Sequence, residues 1–375
     1  MSDTIQSVVA IPLEAPLDAD SQVTAFGPRR KAAALLVEIR TRDGVVGYGE
    51  ALARYSLRSY KTLVDDLLAP RLVGRNPFHV EALWAEMSRV VTGKAGGILF
   101  EAIAACDIAI WDVMARSVAK PLHEILGSMG RTHVPAYASS ITWAEDRVAI
   151  PQVEGAMVAG FKSMKLKLGP PISRALARAR RVREIVGTEI ELTADANWAF
   201  DYDDSLRLGR RLAELDFAWL EEPMICEDLE GYVRLRQALP LRLAAGESEH
   251  TAWGCRDLIA RGGVGVIQPD VARAGGITET RRIASFAHVH GVPFAPHVGF
   301  CGAVCNAASL QLAAATPNFM TFEAMVFGNP LRENLATSDI GAAALLVDGK
   351  LPVPTGPGLG IEIDPDALRR FRCDL

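Results

Sequence analysis

The chain has no pair of cysteines in the CxxC spacing of a zinc site. Its six cysteines (106, 226, 255, 301, 305 and 373) stand mostly in helical or apolar stretches. Free thiols in a reducing compartment are the expectation. Cys301 and Cys305, one helical turn apart, are expected to pack in a core rather than to act as a redox pair. No apolar run approaches the roughly 20 residues that cross a bilayer. Met1 to Asp18 carries acids without the apolar centre of a secretion signal. Positive charge is not in excess either: 40 Lys and Arg against 45 Asp and Glu leave a net charge of -5, the signs interspersed. Nucleic acid and membrane are therefore not expected as partners, and a cytoplasmic location is. The set Gly356-Pro357-Gly358-Leu359-Gly360 opens no helix, so it is no dinucleotide fingerprint.

What is present is length and apolar content. With 375 residues, 49% of them hydrophobic, the chain is too long for one ordinary core, and a large domain with a smaller one is expected. Ala34–Arg40 and Val45–Glu50 flank Arg42-Asp43-Gly44 as a hairpin. Between Ile11 and Lys31 a polar loop carries Asp18, Asp20, Gly27, Arg29 and Arg30, either a solvated connection or a flap over a neighbouring pocket. The period then becomes helical, with Leu63, Leu67 and Leu68 on one face and Val80, Leu83, Trp84 and Met87 on another. Phe100–Val118 is apolar nearly all round, which predicts a buried helix. These elements make an α+β cap over residues 1–130.

From Val134 onward strands and helices alternate. A helix is expected to open near Pro151, where proline suits a first turn. Eight strand-helix units fit between about 134 and 325, the last helix short or replaced. The expectation is an α/β fold, a (β/α)8-type barrel over 131–339. The tail 340–375 is expected to pack back on the cap.

Each barrel strand ends in a polar residue. Asp195, Glu221, Glu247, Asp270, His297 and Glu323 follow one another at 23–27 residues, and Lys167 lies 28 before Asp195. A strand, a helix and two loops need about that length. Strand carboxyl ends are the face of such a barrel where active sites are built. Singly, Asp195, Glu221 or Glu247 can be a helix cap or a lysine partner. Together three buried anions repel unless a cation neutralises them, and an all-oxygen set favours Mg²⁺ over zinc. Asn197 and Glu222 are placed to orient these ligands.

Lys165 and Lys167, two apart on one strand, point to one side, and their repulsion is expected to lower one of the two pKa values into the range of a working base. Across the barrel Asp270 stands one unit before His297 and fixes its tautomer. A metal with two flanking bases points to removal of a proton α to a carboxylate, with Glu323, if protonated, donating to the same oxygen.

The order Lys165-Leu166-Lys167, Asp195-Ala196-Asn197, Glu221-Glu222-Pro223, Gly246-Glu247, Gln268-Pro269-Asp270 and His297 resembles the enolase superfamily in its mandelate racemase-like subgroup. The resemblance covers the whole chain. It implies one Mg²⁺ on Asp195, Glu221 and Glu247, Lys167 as base on one face with Lys165 beside it, and the His297–Asp270 dyad on the other. It implies an electrophilic acid at Glu323, a small carboxylate substrate and a homo-oligomer. Members dehydrate acid sugars, racemise 2-hydroxy acids or isomerise lactones. Asn197 departs from dehydratases with histidine there. Arg29, Arg30, Arg54 and Arg58, with Tyr55, suit a polyhydroxy diacid, so dehydration of a hexarate-like acid is the leading expectation. Racemase and lactone cycloisomerase stand behind it. A non-catalytic binding barrel would have lost a ligand or a base, and a Mg²⁺-dependent aldolase barrel leaves the cap unexplained.

Overall fold

The computed structural model describes residues 4–18, 22–93, 96–341 and 343–375. The expected loop residue Asp20 lies outside them. Strands β1 (Ile5–Pro16), β4 (Lys31–Thr41) and β5 (Val46–Ala51) form an antiparallel sheet in the order β1-β4-β5. Between β1 and β4 lies a small ribbon, β2 (Val23–Thr24) with β3 (Gly27–Pro28). Strand β1 continues past Ile11 because Leu13 and Ala15 are buried, so the polar loop is shorter than the sequence implied. The hairpin turn closes as expected, Gly44 at φ +89° donating to Thr41 O.

Helix Ile98–Ser117 buries every residue from Leu99 to Ala115 against this sheet. Gly47 and Gly49 permit the approach: a Cβ on Gly49 would stand 1.8 Å from Ala105 O. The helix also buries Glu101, Asp107 and Asp112, which its apolar character conceals. Asp107 accepts from Thr278 N (3.0 Å) and Thr278 Oγ1 (2.6 Å), at the start of barrel helix Gly276–Val289. Glu50, near the end of β5, accepts from Gly302 N and Cys305 N (2.5 and 3.0 Å) at the start of helix Ala303–Ala315. Two cap acids thus satisfy the free N–H groups of two barrel helices. Burial raises each, Glu50 to about 7 and Asp107 to about 7.

The second part is a closed parallel ring. Strands β6 (His133–Ile141), β7 (Ser163–Lys167), β8 (Glu191–Asp195), β9 (Phe217–Glu221), β10 (Arg242–Ala245) and β11 (Val266–Ile267) follow in chain order, and β12 (Phe322–Met325) pairs with β6. The gap between β11 and β12 is filled by residues 293–297. These bond through the single bridges Ile267↔Phe294, Asp270↔His297 and Phe294↔Phe319. Pro293 and Pro296 lack the N–H a full ladder needs, so this stave is no regular strand. Among the described residues seven helices follow the first seven staves, and the one-turn Pro330–Glu333 follows β12 before the tail. The architecture is a modified TIM barrel with an α+β cap.

One boundary differs from expectation. The helix before β7 runs Asp146–Val158 and holds Pro151 inside it, on an exposed face where one missing hydrogen bond is tolerated. The tail returns to the first part: Leu359 N donates to Asp112 Oδ1 (2.8 Å) and Cys373 N to Pro12 O (3.1 Å). On the way β13 (Lys350–Pro352) pairs antiparallel with β6. Cys301 and Cys305 are buried and unbridged. No helix among the described residues is long and apolar enough to cross a membrane.

Candidate active site

Inside the ring, Tyr137, Trp219, Ala244, Val266 and Ala295 fill the floor, Tyr137 meeting Trp219 edge-on at 5.6 Å. The charged residues stand above this plug, at the strand ends. The parallel register sets Lys167 beside Asp195 and Asp195 beside Glu221. Gly246, at φ +122° and close to Ile267, turns the chain so that Glu247 joins them. All three carboxylates are buried, and each offers an oxygen within 4.8 Å of the others.

Asp195 Oδ1 accepts from Asn197 N (2.8 Å), and Oδ2 from Asn197 Nδ2 (3.1 Å) and Lys167. Burial would raise Asp195, but Lys167 and Lys165 hold it below the usual carboxylate range. Glu221 accepts from Lys165 (2.5 Å) and from Gln268 Nε2 (2.7 Å), and burial carries it up to about 7. Glu247 Oε2 is buried without a hydrogen-bond partner. It lies 3.1 Å from His297 Nε2, but out of line for a hydrogen bond. A buried acceptor left open beside two other carboxylates, with only oxygens on offer, fits a divalent cation.

The lysines do not act on each other as the sequence implied. Lys165 is fully buried between Glu221 and Glu323 (2.5 and 2.7 Å), 5.4 Å from the Tyr137 ring centre. Burial pulls it down, yet the two carboxylates lift it well above the ordinary lysine value. Each ammonium thus finds a carboxylate, Lys167 on the adjacent β8 and Lys165 on β9 and β12, two strands away on either side, which outweighs the repulsion within β7. Glu323 is likewise an acceptor rather than a donor. It takes Ser139 Oγ on one oxygen and Val298 N on the other, both at 2.6 Å. Burial would raise it, but Lys165, His297 and Lys167 hold it well below the usual range, so the expected protonated acid is not met.

His297 Nδ1 stands 2.7 Å from Asp270 Oδ2, which directs Nε2 toward Glu247 and the cleft. Burial lowers the imidazole, and Glu247, Glu323 and Asp270 overcome this, raising it to about 9. Lys167 comes from the second stave and His297 from the seventh. The metal-type carboxylates occupy the third to fifth between them, and both bases line one cleft.

That cleft has walls that sequence reasoning missed. Phe26, in the ribbon of the cap, stacks on Trp198 with centroids 6.4 Å apart, and Phe300 forms another side. An aromatic directly after Asp195-Ala196-Asn197 was the available signal. Glu222 points away from the cleft and accepts from Trp198 Nε1 (2.9 Å), Tyr232 OH (2.8 Å) and Gly246 N (2.9 Å). Arg29 and Arg54 line the cleft, whereas Arg30 and Arg58 are exposed outside it. Tyr55 is largely exposed and reaches the cleft only through Arg29, which donates to its hydroxyl at 3.0 Å.

Residues 149–367 match the enolase C-terminal domain-like family, and residues 7–127 the mandelate racemase / muconate lactonizing enzyme N-terminal domain. The chain belongs to the enolase superfamily. Within it the chain falls in the mandelate racemase / muconate lactonizing enzyme subgroup. It is 33% identical to D-galactarolactone cycloisomerase of Agrobacterium fabrum, over 91% of this chain and 92% of that one. It is 32% identical to arabinonate dehydratase of Saccharolobus solfataricus, over 90% of each. Among solved structures, L-talarate/galactarate dehydratase from Salmonella typhimurium, liganded with Mg and L-lyxarohydroxamate, superposes with a TM-score of 0.90. Its identity is 27%, covering 100% of this chain and 94% of that one. These enolase-superfamily relatives are acid-sugar dehydratases and a cycloisomerase.

Proposed function

We propose that this protein is a Mg²⁺-dependent hydro-lyase. It removes the proton α to the carboxylate of an acid sugar and expels the β-hydroxyl, giving a 2-keto-3-deoxy acid. The observation that carries this reading is the pair of carboxylate-backed bases, Lys167 on Asp195 and His297 on Asp270, which line one cleft and flank three clustered metal-type carboxylates, of which Glu247 opens into that cleft. Asp195, Glu221 and Glu247 are the residues that hold the ion. When bound it supplies positive charge beside the substrate carboxylate, which makes the α-hydrogen acidic enough to remove.

The residues of the chain do the proton work. One base takes the α-hydrogen as a proton, and the C–H electron pair passes into the carboxylate as an enediolate. Those electrons then form the carbon–carbon double bond while the β carbon–oxygen bond breaks. The second base gives the departing oxygen a proton, so it leaves as water, and the enol becomes the 2-keto acid. Asp270 holds the Nδ1 side of His297, so Nε2 is the ring nitrogen that gives or takes a proton in the cleft. Asn197 holds both oxygens of Asp195, and Lys165 with Glu323 fixes Glu221 from below.

A second reading shares the first step. If the leaving oxygen belongs to a ring, elimination opens a lactone or anhydro sugar instead of releasing water, and the 33% identity to a galactarolactone cycloisomerase favours it. A screen of acid sugars and their lactones with Mg²⁺ in D₂O separates the two. A 2-keto product from open-chain acids supports the dehydratase, and consumption of lactones alone supports the cycloisomerase. Loss of optical rotation with α-deuterium but no keto product is racemisation and overturns both. Absence of α-exchange with every acid overturns the enzyme reading.

A further inference from the structure

The wall of the cleft that the cap contributes carries two guanidinium groups that no carboxylate pairs at contact distance. Arg54 lies just beyond β5 and lines the cleft, and its Nε is buried without a hydrogen-bond partner. Among the described residues no carboxylate stands in ion-pair range of Arg54 or of Arg29, whose one polar side-chain contact is the Tyr55 hydroxyl. Their neighbour Arg273 shows what a structural arginine does here: it is tied to Glu101 at 2.8 Å. Glu247 and Asp270 act on Arg54 only from beyond contact, and a partly buried guanidinium with no carboxylate in contact has its fork open to one that a ligand supplies.

A second observation concerns the residue between them. Phe300 has φ +60°, a left-handed conformation that a bulky side chain rarely adopts. The conformation sets its ring under both cations, with Arg29 at 5.5 Å and Arg54 at 5.6 Å from the ring centre. Phe300 thus fixes two forked donors on one aromatic plate, facing the cleft that holds Lys167 and His297. Forked, planar donors match a carboxylate better than they match sugar hydroxyls.

We infer that Arg54, together with Arg29 across the Phe300 ring, receives a second carboxylate of the substrate, so that the acid taken is a dicarboxylate (an aldaric acid or its lactone) rather than a monocarboxylic aldonate. This inference rests on the acid-sugar reading above and narrows it.

The test is calorimetric titration of the Mg²⁺-loaded protein with 2-oxoglutarate and with 2-oxopentanoate, five-carbon 2-keto acids that differ only in the distal carboxylate. The wild type is expected to bind 2-oxoglutarate at least about tenfold tighter. Arg54→Gln is expected to shrink the ratio to about threefold or less, with Arg54→Lys in between. Equal affinities in the wild type, binding of neither acid, or an unchanged ratio in Arg54→Gln overturns the inference. So does equal weakening of both acids, which would make Arg54 a counter-charge to Glu247. If Arg54→Gln fails to fold, the wild-type ratio and Arg54→Lys decide. Turnover of aldonates with aldarates inert overturns this inference and leaves the dehydratase. Selective binding without α-exchange by any acid overturns the dehydratase and leaves dicarboxylate recognition standing.

Discussion

Trp198 Nε1 donates to Glu222 Oε2 across 2.9 Å, tying a wall of the cleft to the residue that follows the carboxylate Glu221. Asn197, Trp198 and Glu222 all have positive φ (45°, 57° and 39°), so two adjacent strand ends bend sharply at this contact. Glu222 Oε2 also accepts from Tyr232 OH, while Oε1 accepts from Gly246 N, the residue before Glu247.

Glu222→Gln has one amide oxygen for three donors, so either Trp198 and Tyr232 or Gly246 N meets an N–H₂, and the tie between Trp198 and the strand end loosens. The expected result is a fall of about ten- to a hundredfold in kcat/KM, carried mostly by KM, with a shift in tryptophan emission. Steady-state kinetics beside Mg²⁺ titration checks it. A variant with wild-type KM and lowered metal affinity would place Glu222 with the ion instead of the wall.

Glu247 Oε2 has no hydrogen-bond partner, so Glu247→Gln breaks no hydrogen bond at that oxygen while it removes the charge that faces His297 at 3.1 Å and that a cation needs. The wild type should gain thermal stability on addition of Mg²⁺, by about 2.7 kcal/mol when the ion is at a hundred times its Kd. The variant should keep its Tm without metal and lose the Mg²⁺-dependent rise. Chelation should abolish wild-type activity and added Mg²⁺ restore it. A rise in Tm retained by Glu247→Gln would take Glu247 out of the ligand set.

What could be read from the chain and what could not divides along the ring. Asp195, Glu221, Glu247, Asp270 and His297 were legible because each closes an apolar stretch at the βα period, and the period alone brings strand ends to one face. The lysine pair was misjudged because Lys165 takes its partners from β9 and β12, far along the chain, while only the local neighbour Lys167 was visible. Helix Ile98–Ser117 was recognised as buried, but not that Asp107 within it would start a barrel helix. Phe26, Trp198 and Phe300 had no periodic signal: they reach the cleft from loops whose path depends on backbone turns at particular residues.

Burial raises Glu50 from 4.5 to about 7, against the pull of N–H groups from Cys305 and Gly302. The folded chain then holds a proton that the unfolded chain releases between those values. The contribution of this carboxyl to stability is therefore full below about 4.5, falls as pH climbs to about 7, and is constant above. Glu50→Gln cannot titrate. Between pH 4.5 and 8 the wild type should lose roughly 3 kcal/mol relative to the variant, beyond the constant offset of the lost acceptor. Tm measured for both proteins across that range tests it, and parallel curves would refute it.

Lys167 and His297 flank the metal-type carboxylates from the second and seventh staves, so elimination should need both while proton exchange should need one. Lys167→Met leaves Asp195 without its ammonium partner, and His297→Asn leaves Asp270 without its imidazole. Each variant is expected to lose product formation by about a thousandfold or more. In D₂O the variant lacking the first base should also lose α-deuterium incorporation. The variant lacking the second should still incorporate it, because the enediolate forms and is reprotonated when the β-oxygen has no proton to leave with. The pattern assigns the order of the two bases, which the symmetry of their backing carboxylates leaves open. Turnover within tenfold of wild type in either variant would mean that a single group serves as both base and acid.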